Sequence, residues 1–95
     1  MPAYLIAEIQ VTDPAQYEEY RKRVPAAISK FGGKFLSRGG KVAPLEGGWS
    51  PSRIAVIEFA SLDQAQRFYA SPEYQHAKEA RMGAAQVRII AVEGT

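Results

Sequence analysis

The sequence contains no cysteine, only one histidine and no long apolar run. Without cysteine the chain has no disulfide, no thiolate nucleophile and no cysteine-ligated zinc, and a single histidine cannot build a multi-histidine metal cage. No apolar run approaches the roughly 20 residues that a membrane-spanning helix needs. We therefore predict no metal site and no membrane partner, and we expect a soluble cytoplasmic protein.

A strong excess of charge is also missing. Twelve basic and ten acidic residues leave a net charge of +2, which is too small to indicate a phosphate-binding surface. The aromatic pattern of RNA-binding sheets is absent as well, so we predict no nucleic-acid partner. The lone His76 lies in a polar helical segment and is interpreted as a solvated side chain rather than a haem ligand, and no cofactor is predicted.

What is present fits one small globular domain. The 95 residues are 46% hydrophobic and 23% charged, which is an ordinary globular mixture. We assign residues 1–95 to a single domain, because this length leaves no room for separate cofactor and substrate domains. A chain this short buries a modest share of its surface, so an interface with a second copy would add stability.

Apolar residues alternate with a period of two in four segments. This alternation predicts strands over residues 3–11, 34–38, 53–59 and 86–93. Helical spacing of apolar residues fills the two long gaps between them. The resulting order, β-α-β-β-α-β, predicts an α+β, ferredoxin-like fold with a four-stranded antiparallel sheet and both helices on one of its faces.

Capping signals delimit the predicted helices. Asp13 before Pro14 opens the first helix, and the Gly32-Gly33 pair closes it. Ser61 opens the second helix, and Ser71 before Pro72 restarts it up to about residue 81. Pro25 lies inside the first helix, where it predicts a kink or a break at Val24 because proline removes one backbone hydrogen bond.

The sheet face away from the helices is predicted to be apolar. It would carry six large side chains, which are too many for a soluble monomer to leave in water; they are Tyr4, Ile6, Ile54, Val56, Ile90 and Val92. A second copy of the same face is the simplest cover, since most oligomers are symmetric dimers. We therefore predict a homodimer.

Many separate short patterns follow one another along essentially the whole chain. They are Tyr17-x-x-Tyr20-Arg21, Val24-Pro25-Ala26, Phe31-Gly32-Gly33, Phe35-Leu36-x-Arg38-Gly39-Gly40, Leu45-Glu46-Gly47-x-Trp49, Pro51-x-Arg53, Glu58-Phe59-x-Ser61, Phe68-Tyr69-x-Ser71-Pro72-Glu73-Tyr74 and Val92-Glu93-Gly94. In this order they resemble the domain of unknown function 1330 family. The resemblance implies a dimeric α/β-barrel, in which two ferredoxin-like sheets face each other, near cofactor-independent monooxygenase-like and stress-responsive barrel proteins. It implies no activity, and Gly48 departs from the family, which often has a charged or polar residue before Trp49.

Polar side chains interrupt the apolar sheet face. We predict that they bind a small ligand between this face and the long segment 39–51; the candidate ligand-binding residues are Tyr4, Gln10, Arg38, Trp49, Glu58 and Arg88. Arg38 or Lys34 joins the group if Leu36 shares that side of the sheet. Glu8 and Glu58 are weak candidates for a general base, with a pKa raised by burial. The alternative is an interfacial ion-pair network that only fixes the dimer register.

Two functions from different classes remain open at this point. In the first, the barrel cleft binds a small polar or aromatic metabolite, either as a binding protein or as a cofactor-independent enzyme. In the second, the chain is a non-catalytic dimeric stress or interaction protein. Trp49 fits both, because it is either a lid over a ligand or an anchor on the partner subunit.

Overall fold

The strands and helices follow one another in the predicted order. The structure is a computed structural model that describes residues 1–95, and its elements are β1 (Ala3–Val11), α1 (Pro14–Lys30), β2 (Lys34–Arg38), β3 (Arg53–Phe59), α2 (Leu62–Ala70), α3 (Pro72–Glu79) and β4 (Ala85–Glu93). All neighbouring strands are antiparallel, and the sheet order is β2-β3-β1-β4. The predicted ferredoxin-like fold is confirmed. None of the helices has the length and apolar character required to cross a membrane.

Side-chain caps fix the helix starts where the sequence predicts them. The Asp13 carboxylate accepts the Gln16 N–H at 3.2 Å, and the hydroxyls of Ser61 and Ser71 each accept a backbone N–H at 3.1 Å. Helix α1 runs without interruption through Pro25, so the predicted break does not occur. Its neighbours Val24 and Ala27 are buried in the core, and this packing outweighs the one hydrogen bond that proline removes.

The glycine pair after α1 lets the chain turn tightly into β2. Gly32 has a φ of +72°, which favours glycine, and Gly33 donates its N–H to the Ile28 carbonyl at 2.9 Å. A Cβ at position 33 would lie 2.7 Å from the Phe59 ring. The backbone at Gly33, just before β2, therefore lies too close to the core to leave room for a side chain.

The core lies between the helices and one sheet face. Alternate residues of β1 and β3 are buried there, and Phe59 and Phe68 at its centre are each 1% exposed. Five further aromatic side chains join them, with ring centroids 4.9 to 6.3 Å apart; they are Tyr17, Tyr20, Phe31, Tyr69 and Tyr74. These distances are typical of packed aromatic pairs, so the aromatic side chains of the helices pack in the core.

The opposite sheet face, called the open face below, carries no helix. The register sets Ile6 beside Val56 and Ile90, and Tyr4 beside Val92, so the predicted apolar residues share this face. Ile90 is 63% exposed and Val92 46%. Within one chain, large apolar groups of the edge strand β4 are thus left in contact with water.

Strand β2 contains a β-bulge that changes which way its last residues point. Its register shifts between Phe35 and Ser37, so that Phe35 lies opposite Ile57 and Arg38 lies opposite Ala55. Both partners belong to the core side of β3. A regular strand would place residues 35 and 38 on different faces, but the extra residue brings them to the same one.

Candidate functional site

A polar cluster lies at one end of the open face. Glu8 stands opposite Arg88 in the sheet, and Arg88 donates from Nε to Glu8 Oε1 at 2.7 Å and from Nη2 to the same oxygen. The indole Nε1 of Trp49, on the loop between β2 and β3, donates to Glu8 Oε2 at 3.0 Å. Both carboxylate oxygens of Glu8 are therefore occupied. We call these three residues the Glu8 cluster.

The hydrogen bonds of the cluster lower the pKa of its carboxyl group. The indole of Trp49, and next the guanidinium of Arg88, hold the pKa of Glu8 below its ordinary value because they stabilise the charged form. The predicted rise of this pKa by burial is wrong, since burial is outweighed by two donors at the sheet surface. Glu8 is thus an anion at neutral pH and a poor proton acceptor, suited to holding groups in place.

Replacement of the indole tests this electrostatic assignment. Trp49→Phe keeps an aromatic ring but removes the N–H donor, so we expect the pKa of Glu8 to rise toward its ordinary value. Because the pKa of Glu8 is lower in the folded than in the unfolded state, ionised Glu8 stabilises the fold at pH values above its unfolded-state pKa. This stabilisation is lost as the pH falls through the folded-state pKa. A carbon-detected NMR titration measures the change. The pKa of Glu73, which Lys30 lowers elsewhere, is the internal control and should not move.

The Glu8 cluster borders an open cleft of about 250 Å³. Gln10 and Gln86 face each other across β1 and β4 on one side of it, and Ser50 and Ser52 close the other side. The Ser52 hydroxyl donates to the Ile9 carbonyl at 3.0 Å and fixes the loop end to β1. The structure thus brings Glu8, Gln10, Trp49 and Arg88 of the predicted site together, beside the long loop.

Two of the predicted site residues lie at the far end of the open face. Tyr4 and Glu58 are neighbours in the register, and Lys34 stands on the other side of Glu58. Tyr4 and Glu8 are four positions apart on β1, which is about 13 Å along a strand. Within one chain Glu58 therefore does not contact Arg88. The prediction that these two residues bind the same ligand is corrected: they lie at opposite ends of the open face.

Arg38 lies on the helix side of the sheet. Its Nη2 donates to the Arg21 carbonyl of α1 at 2.9 Å, and its guanidinium lies 4.6 Å from the centre of the Phe35 ring. The bulge in β2 is the cause, because it reverses the side toward which residue 38 points. The predicted place of Arg38 beside Glu58 and Arg88 is therefore wrong.

The residues that sequence reasoning missed lie around Arg38. A cavity between α1 and the sheet is bordered at its outer end by Arg21, Arg38 and Arg53. A signal for Arg53 was present, because it precedes Ala55 and Ile57 on the same side of β3 by alternation. No signal marked Arg38, since a bulge leaves no trace in a five-residue strand.

Comparison with known proteins agrees with this description. The model of the family described as domain of unknown function (DUF1330) matches residues 2–95. The chain belongs to this family. Among curated proteins, none matches the chain, and the family itself carries no assigned activity.

Solved structures of the same fold cover nearly the whole chain. A protein of unknown function from Rhodopseudomonas palustris is 18% identical, with a TM-score of 0.77 over 99% of this chain and 82% of that one. SnoaB, a cofactor-independent oxygenase from Streptomyces nogalater, is 16% identical, with a TM-score of 0.69 over 99% and 93%. A dimeric ferredoxin-like protein of unknown function from Jannaschia sp. CCS1 is 11% identical, with a TM-score of 0.73 over 99% and 100%. At these identities the likeness extends to the fold alone.

Proposed function

We propose that this DUF1330 protein is a homodimer that binds a small polar or aromatic molecule in the cleft beside the Glu8 cluster, where two open faces meet. The observation that carries the proposal is the position of the cluster. A fixed set of charged and hydrogen-bonding groups borders an open cleft at the edge of an uncovered apolar face. Binding sites combine apolar walls with a few convergent polar groups in this way.

The dimer follows from the open face itself. Isologous packing would bury the exposed Ile90 and Val92 of both copies at once, and similar folds are described as dimeric in other proteins. The cleft would then gain a second wall. Trp49, which is 57% exposed, lies where it can contact both the ligand and the partner.

Binding is a better assignment than proton abstraction. The carboxylate of Glu8 has its pKa lowered and both its oxygens hydrogen-bonded, so it is a weak base. A cofactor-independent oxygenase with this fold, SnoaB, supports the possibility of turnover without a cofactor, but no group in the cleft of this chain favours it. We therefore propose recognition of a ligand as the function of the cluster.

The only tryptophan of the chain reports on this cleft directly. We expect protein purified from its own host to retain a small molecule in native mass spectrometry, and release of that molecule to change the fluorescence of Trp49. Arg88→Gln should weaken retention about tenfold, because it removes a charge-assisted hydrogen-bonding group. Arg67→Gln, an exposed substitution on α2, is the matched control. If no molecule is retained and Arg88→Gln only destabilises the dimer, the cluster is an ion-pair network and the proposal is wrong.

A further inference from the structure

We propose that the cavity between α1 and the sheet is a second binding site, which takes a small aliphatic carboxylate. The carboxylate would lie between Arg38 and Arg53 at the cavity mouth, with the aliphatic chain directed inward. This site lies on the helix side of the sheet and shares no side chain with the Glu8 cluster. The proposal therefore does not depend on the proposed dimer or on its cleft.

The cavity is narrow and apolar. It has a volume of about 50 Å³ and is lined by sheet residues such as Ala7 and Ala55 and by the rings of Tyr17, Tyr20 and Phe35. A cavity of about 150 Å³ holds a benzene molecule, so this space is too small for an aromatic ring. On the same scale of about 25 Å³ per carbon atom, the space holds about two carbon atoms of an aliphatic chain whose carboxylate and first methylene group lie at the mouth.

The mouth carries an excess of positive charge. Arg53 lies 5.8 Å from the centre of the Tyr17 ring and Arg38 4.6 Å from that of Phe35, yet neither forms an ion pair with a carboxylate. Arg21 meets only Glu18, at 3.7 Å. Three guanidinium groups thus share one carboxylate. Planar guanidinium groups with free donors are the side chains best suited to bind a carboxylate.

Two backbone irregularities converge on this mouth. The bulge in β2 turns Arg38 toward it, and Gly39, with a φ of +72°, follows directly. A Cβ at position 39 would lie 3.3 Å from Arg53 Nε, so glycine leaves the space beside that donor free. Bulges and positive-φ glycines are common where a strand must aim a side chain at a ligand.

A fourth cation lies behind the cavity wall. Arg81 is 7% exposed and donates from Nη2 to the Tyr74 hydroxyl at 3.3 Å, while its Nε has no acceptor. Tyr20 and Tyr74 separate it from the cavity, and burial raises the pKa of Tyr20, so this phenol is neutral and cannot balance the charge. A buried cation without a counter-ion is costly. An anion bound in the cavity would reduce that cost.

Butyrate is the probe that tests the site. In a nitrogen–proton NMR titration we expect shifts at the amides of Gly39 and Ala55, and an affinity at least about tenfold higher than for n-butanol or n-butylamine. Arg53→Gln should lower the butyrate affinity about tenfold. Arg67→Gln removes an exposed arginine that is paired with Asp63 on α2 and should leave the affinity unchanged.

A second variant keeps the test decisive if the arginine variant folds poorly. Ala55→Val fills the cavity from the sheet side and should abolish the butyrate shifts while the circular dichroism spectrum stays unchanged. Equal binding of butyrate and n-butanol would show a dry apolar cavity without an anion site. Equal binding of butyrate and inorganic phosphate would show a surface charge effect only. Either result, or butyrate binding to Ala55→Val as to the wild type, overturns the proposal.

Discussion

Ile90→Lys is expected to raise the dissociation constant of the dimer at least about 100-fold. In a single chain the side chain at position 90 is 63% exposed, so the substitution costs the monomer little. In an isologous dimer it places two ammonium groups in an apolar interface, one from each copy. An unpaired buried charge costs on the order of 3 kcal/mol or more, which corresponds to about two decades in affinity.

Sedimentation equilibrium over a range of concentrations measures this change. Met82→Lys is the matched control, because Met82 is 59% exposed and lies in the turn before β4, off the open face. The control should remain a dimer, and both variants should keep the wild-type circular dichroism spectrum. A wild-type protein that sediments as one chain at micromolar concentration, or an Ile90→Lys protein that remains dimeric, would contradict the proposed interface.

The fold could be predicted from the sequence because the capping residues and the alternation of apolar residues indicate the same helices and strands that the core buries. Asp13, Ser61 and Ser71 mark the helix starts by short-range hydrogen bonds, and the period of two in β1 and β3 identifies the buried face. These features depend on neighbours within a few residues. Pro25 is the exception, because its effect is decided by tertiary packing around α1 rather than by its own backbone.

The candidate site could be predicted only in part. Alternation places Glu8, Glu58 and Arg88 on one face, but the distance between them depends on the register of strands that are far apart in the chain. The register joins Glu8 to Arg88 and leaves Glu58 at the other end. The direction of Arg38 depends on a one-residue bulge, and the hydrogen bond from Trp49 to Glu8 depends on the path of a long loop. None of these has a sequence signal of its own.

Arg81→Met is expected to stabilise the protein and to weaken butyrate binding in the same step. Methionine has a similar length and needs neither a hydrogen-bond acceptor nor a counter-ion, so it removes a buried charge whose Nε is unpaired. The loss of the contacts to Tyr20 and Tyr74 offsets part of this gain. We expect a net stabilisation of about 1 kcal/mol, which raises the melting temperature by roughly 4–8 °C in a domain of this size.

The opposite effect on binding separates a functional arginine from a structural one. If Arg81 supplies positive potential to the cavity through the tyrosine rings, Arg81→Met should lower the butyrate affinity about tenfold, whereas Lys78→Met should leave it unchanged. Lys78 lies on α3, just before Arg81, and donates to the Tyr69 hydroxyl at 3.1 Å. Tyr69 does not line the cavity, whereas Tyr20 and Tyr74, which Arg81 contacts, do. Thermal unfolding and the butyrate titration measure both quantities on the same samples. If Arg81→Met is less stable than the wild type and binds butyrate with unchanged affinity, Arg81 serves packing alone. A buried charge that lowers stability is expected only where it serves binding.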